Sequence, residues 1–130
     1  MRTAERELLA PRADVWAFLA EPYHLSDWWP GITGVEPDRR GFAAGARWKV
    51  IVASRNWLTG TRSRETMLLV RAVEPYERFA FHILSPKTDA EVSLSAPESD
   101  RTLVRVSTSR GSPTLAATRL YDLVQTAASL

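Results

Sequence analysis

Between Ile32 and Ser107 the chain is built almost wholly from segments of period two, and only one amphipathic helical segment follows them. Trp48, Val50 and Val52 alternate with Arg47 and Lys49, and Phe79, Phe81 and Ile83 alternate with Arg78, Ala80 and His82. Farther on, Ala90, Val92 and Leu94 alternate with Glu91, Ser93 and Ser95, and Thr102, Val104 and Val106 alternate with Arg105 and Ser107. Apolar-in, polar-out alternation of this kind belongs to an antiparallel sheet with one wet face. Such a sheet must cover its apolar side, and the only long amphipathic partner is the last helix.

The rest of the chain fits around that core. Thr3 to Leu9 reads as a first strand, and Pro11 stands where a helix can begin without its missing N–H being felt. Val15, Trp16, Phe18 and Leu19 form that helix's apolar face, and Pro22 ends it. A second short helix covers Tyr23 to Trp28, closed by Pro30-Gly31. Strands are expected at Ile32–Asp38, Arg47–Ala53, Arg64–Val73 and Arg78–Leu84, with a glycine-bounded turn at Arg39–Gly45 and a loop at Ser54–Gly60. The run MLLV in Arg64–Val73 leaves open which face of that strand is inward. After the two further strands, separated by a loop at Pro97–Asp100, Ser112-Pro113 supplies an N-cap and a first-turn proline. The spacing predicts a helix from Thr114 to Ala127 that buries Leu120, Leu123 and Val124. No repeat or linker interrupts the 130 residues, which are expected to form one domain.

A resemblance sits on three stretches. The run APRADVWAFLAEPYHLSDWWPGI, the later EPYERFAFHI and the terminal RLYDLVQTAA resemble the START-like (SRPBCC) superfamily, and within it the polyketide cyclase/dehydrase and lipid-transport group. The resemblance covers essentially the whole chain and speaks to fold more than to activity. It implies an α+β helix-grip fold in the order β-α-α-β6-α, a curved antiparallel sheet of six to seven strands around a C-terminal helix. The superfamily includes pollen allergens, lipid carriers, aromatic cyclases, hormone receptors and activators of chaperones. This chain is short for the group, which implies a small pocket in place of a lipid-sized tunnel.

Composition excludes several function classes. Without cysteine there is no disulfide, thiolate metal site or thiol nucleophile. The formal charge is +2 and Arg39-Arg40 is the only adjacent basic pair, so the basic stripe and reading element of a nucleic-acid binder are missing. No apolar run is long enough to span a bilayer. The first residues carry charge where a signal peptide would be apolar, so a cytoplasmic location is expected.

One helix is too narrow to fill the hollow of a strongly curved sheet, and the remaining space is where a ligand would sit. The expected ligand-binding set is Trp48, Val50, Trp57, Phe79, Phe81, Val92, Leu94, Val104, Leu120 and Val124. Trp16 reads as core. Of Trp28 and Trp29, one is expected to pack on the sheet and the other to line the pocket mouth or be partly exposed. Trp57, in its loop, suits a lid over the pocket or a homodimer contact equally well. His82 alternates onto the outer face, where it should be an exposed, non-catalytic imidazole, and His24 reads as a surface residue. Two histidines so placed do not make a metal site, and no cofactor is called for. Among Arg62, Arg64, Glu65 and Arg71 one charge could enter the cavity, with Glu65 or Glu91 as its partner; Arg119 is a similar candidate.

The first functional reading is a non-catalytic binding protein for a small hydrophobic or aromatic molecule. An enzyme of the polyketide cyclase/dehydrase type is the second, weakened because no clear His, Asp or Glu falls on the inner face. The third is a protein-interaction module with a vestigial pocket. A continuous cavity holding an inward polar pair would favour the enzyme, and a filled core the interaction module.

Overall fold

The structure is a computed structural model that describes residues 1–56, 58 and 60–128, with side chains at 54–56, 61, 127 and 128 outside the description. Its strands are β1 (Arg2–Leu8), β2 (Ile32–Glu36), β3 (Arg47–Asn56), β4 (Gly60–Glu74), β5 (Arg78–Ile83), β6 (Thr88–Glu98) and β7 (Arg101–Thr108). The helices are α1 (Arg12–Leu19), α2 (Leu25–Trp28) after a 3₁₀ turn at Pro22–His24, and α3 (Pro113–Ala128). All seven strands join one antiparallel sheet in the order β1-β7-β6-β5-β4-β3-β2. This is the helix-grip architecture. β1 and β2 are its edges, flanked by α3 and α2 respectively.

Pairing register settles the face of β4. Trp48 stands opposite Leu68 and Val70 opposite Phe81, so Leu68 and Val70 face inward together with Arg64 and Thr66. A register shift between Val70 and Ala72 leaves Arg71 unopposed and exposed, a local bulge. The sequence assigned Ser54–Gly60 to a loop. Instead β3 and β4 continue as a hairpin arm up to the Asn56–Gly60 pair. Polar residues dominate this arm, so the alternation that marks a strand over a core is absent there. Trp57 lies outside the described residues.

The concave face is covered by α3, whose Ala116, Ala117, Leu120 and Val124 are buried, while Leu123 is half-buried. Burial of Leu120 stabilises by about 1.5–3 kcal/mol. Ser112 Oγ accepts the Leu115 N–H at 3.1 Å, the expected N-cap. Pro11 is the N-cap of α1, one position before the helix, with no side-chain capping bond. On β1, Arg6 stacks over the Tyr121 ring at 4.2 Å and donates to Thr118 Oγ1, tying the edge strand to α3.

Candidate functional site

At one end of the sheet the chain leaves a cleft of about 320 Å³, near the small end of the roughly 300–1,000 Å³ usual for ligand sites. The turn after α2 supplies Trp29, Pro30, Gly31 and Ile32, and the start of the hairpin arm supplies Val52, Ala53 and Arg64. Ile83, Pro86 and Thr88 come from the β5–β6 turn, and Arg110 and Gly111 from the connection between β7 and α3.

Local bonding holds these segments in place. Gly31 has φ +88°, a left-handed conformation that suits glycine, and its carbonyl accepts the Ala53 N–H at 2.8 Å. Trp29 is buried edge-on against Phe81, with centroids 5.0 Å apart, and against Trp28 at 5.6 Å. Thr88 Oγ1 donates to the Pro86 carbonyl at 2.8 Å. Thr108 Oγ1 fixes the backbone of Arg110 twice, donating to its carbonyl at 2.7 Å and accepting its N–H at 3.2 Å. The cleft therefore has a rigid apolar floor and two exposed guanidinium groups. Its described lining holds no carboxylate.

The residues expected to bind ligand are gathered, but as core. Trp48, Val50, Phe79, Phe81, Val92, Leu94, Val104, Leu120 and Val124 are all buried in one cluster, and none of them lines the cleft. The hollow that the sequence left for a ligand is filled largely by aromatic rings. Phe42 contacts Trp16 at 5.5 Å and Phe79 at 4.7 Å, and Phe79 in turn contacts Phe81 at 5.2 Å. Phe42 was missed because it sits in a glycine-bounded turn. The Trp48 indole N–H donates to the Gly41 carbonyl at 2.8 Å, which ties that turn to the core. Trp28 and Trp29 are both buried; of the two outcomes expected for the second tryptophan, lining the pocket mouth or partial exposure, Trp29 takes the first and lines the cleft.

His82 does lie on the convex face, paired with Leu69 and Asp89, but it is not exposed. The residue is 8% accessible, and its Nδ1 hydrogen-bonds Asp89 Oδ1 at 2.8 Å. A convex-face position on the central strand is shielded by its neighbours, which alternation alone does not reveal. His24 is half-buried, its ring stacked on Phe18 at 4.1 Å and its Nδ1 bonded to the Phe18 carbonyl. Glu65 and Glu91, considered as partners for an inward charge, serve the convex face instead: Glu65 pairs with Lys49 at 3.5 Å and Glu91 with Arg78 at 2.7 Å. Among the described residues no cluster of His, Asp and Glu is arranged to hold a metal ion. No described helix is long and apolar enough to cross a membrane.

A seven-stranded antiparallel sheet gripping a C-terminal helix, with two short helices between its first and second strands and a cleft at one end, defines a protein of the START-like (SRPBCC) class. More narrowly, the chain belongs to the Activator of Hsp90 ATPase homolog 1-like protein family, whose model matches residues 9–125. No curated protein matches the sequence. Among solved structures it is similar to a Nitrosomonas europaea protein (18% identity, TM-score 0.68, covering 99% of this chain and 96% of that one). It is likewise similar to norcoclaurine synthase from Thalictrum flavum, solved with a transition-state analogue (17%, 0.70, 98% and 94%). A third likeness is to StfQ, the di-domain ARO/CYC of the steffimycin biosynthetic pathway (17%, 0.68, 98% and 45%). At these identities the likeness is one of fold.

Proposed function

We propose that this protein binds a small hydrophobic or aromatic molecule, as a carrier or sensor, in the cleft floored by Trp29. One observation carries the reading: an apolar recess formed by Trp29, Ile32, Val52 and Ile83 remains open at the end of a buried aromatic core. The Trp29 indole, held by Phe81 and Trp28, gives the recess a fixed aromatic wall. The buried set from Trp48 to Val124 then acts as the wall behind the site, and Phe81 supports it through its contact with Trp29. Binding is favoured over acid–base chemistry because the polar groups of the described lining are two guanidiniums and a hydroxyl already donating to Pro86.

The test is titration of the neutral fluorophore N-phenyl-1-naphthylamine, with tryptophan emission followed in parallel. Saturable binding is expected in the wild type, and Val52→Phe, which fills the cleft, should abolish it. Unchanged binding in Val52→Phe would move the site elsewhere. The filled core favours a second reading, an interaction module with a vestigial pocket, and absence of saturable binding in the wild type would promote it.

A further inference from the structure

We infer that the ligand of this cleft is anionic, an aromatic or alicyclic carboxylate whose acid group is held by Arg64 and Arg110. The inference rests on the cleft being the binding site, and it deepens that reading.

Arg64 shares the concave face with Thr66 and Leu68, because Val52 stands opposite it across the β3–β4 pair. Arg110 reaches the same cleft from the β7–α3 connection, separated in the sheet by β5 and β6. Neither guanidinium has a hydrogen-bond or ion-pair partner among the described residues. Nearby acids are committed to the other face of the sheet, Asp89 to His82 and Glu65 to Lys49. Elsewhere, Arg78, Arg101 and Arg105 each hold a carboxylate of the chain itself. The cleft thus carries two positive charges and no negative one over an apolar floor, the complement of a molecule with a flat body and a carboxylate. Guanidinium suits that group because its N–H donors match the two oxygens. The backbone of Arg110 is pinned by Thr108, so less freedom is lost when its side chain engages.

The experiment compares 2-naphthoate with its neutral isostere 2-naphthamide, by calorimetry and tryptophan quenching, in the wild type, Arg64→Gln/Arg110→Gln and Val52→Phe. At low ionic strength the wild type should bind naphthoate tighter than the amide by about tenfold, as expected for a charge-assisted hydrogen bond. High salt should erode that preference. In the double glutamine variant the preference should fall towards unity while affinity for the amide holds. Equal wild-type affinity for the two probes overturns the anion inference and leaves the cleft reading standing. A preference that survives in the double variant overturns the assignment to these arginines. Failure of both probes to bind the wild type, or binding of both to Val52→Phe as tight as to the wild type, overturns the cleft reading and the inference with it.

Discussion

Trp29 meets Phe81 edge to face, with centroids 5.0 Å apart and planes at 79°. The contact joins the one tryptophan on the cleft among the described residues to the aromatic column of the core, so the cleft floor is tied to the core behind it. Trp29→Ala should lower stability by about 3–5 kcal/mol, the usual cost of truncating a large buried aromatic. Trp29→Phe should keep most of that stability, and it should remove most of the quenching that a bound naphthalene causes. Quenching left intact in Trp29→Phe would place the ligand beside a different tryptophan.

Trp48 is expected to matter to folding and not to cleft affinity. Its indole N–H is held by the Gly41 carbonyl, and the residue is 1% accessible. Trp48→Phe should cost about 1–3 kcal/mol in denaturant unfolding, because the carbonyl loses its donor. The Kd for N-phenyl-1-naphthylamine should stay within error. A large rise in Kd would mean that the ligand reaches deeper than the cleft.

Leu120 anchors α3 against the sheet and is fully buried. Leu120→Ala should lose about 2–5 kcal/mol. Leu120→Asp would place an unpaired charge in the same position and should leave the protein unfolded or aggregated. A melting curve of Leu120→Asp close to wild type would contradict the packing of this helix.

His82 and Asp89 should be energetically coupled but irrelevant to the ligand, since they face away from the cleft. A double-mutant cycle with His82→Ala and Asp89→Ala should give about 0.5–1.5 kcal/mol, towards the lower end because Asp89 is half in solvent. Zero coupling would show that the 2.8 Å contact does not persist in solution.

Asp38 organises the turn that carries Phe42. Its carboxylate accepts the N–H groups of Arg47 at 3.0 Å and Arg40 at 3.1 Å. The Arg47 amide above all holds its pKa below the ordinary carboxylate value; desolvation opposes it, and the amides of Arg40 and Gly41 with the Arg40 charge add to the lowering. A depressed folded pKa means that the stabilisation is fully present above the unfolded value of about 3.9 and fades as pH falls through the folded one. Asp38→Ala should therefore melt below wild type at pH 7, and the gap should narrow under pH 4. A gap independent of pH would assign the turn's order to something other than this carboxylate.

The strands over the core were legible because each places an apolar side chain on every second residue, as Phe79, Phe81 and Ile83 do. The closing helix was legible from its serine–proline start and its leucine stripe. The hairpin arm beyond Ala53 was not, since its sequence carries no apolar alternation and its polar residues read as loop. The cleft was least legible of all. It is assembled from five separate stretches, and its shape depends on Gly31, on the turn through Pro86 and on a backbone pinned by Thr108. Packing that filled the hollow was equally hidden, because alternation tells which way Trp48 and Phe81 point and not how much room is left between them. Arg64 could be placed inward only once Val52 was known to stand opposite it.

Among the described residues the two outer strands of the sheet, β1 and β2, pair only with β7 and β3 respectively, and helices flank them. Contact between the sheet's two ends runs through α3 against β1, α2 against β2 and the two helices against each other. The opening between the ends is then set by how these helices sit, so on the proposed function a shift of α2 would adjust the cleft while the central strands keep their backbone ladder. Hydrogen exchange should report this directly, with amides of β2 slowing on ligand binding while those of β5 and β6 do not change.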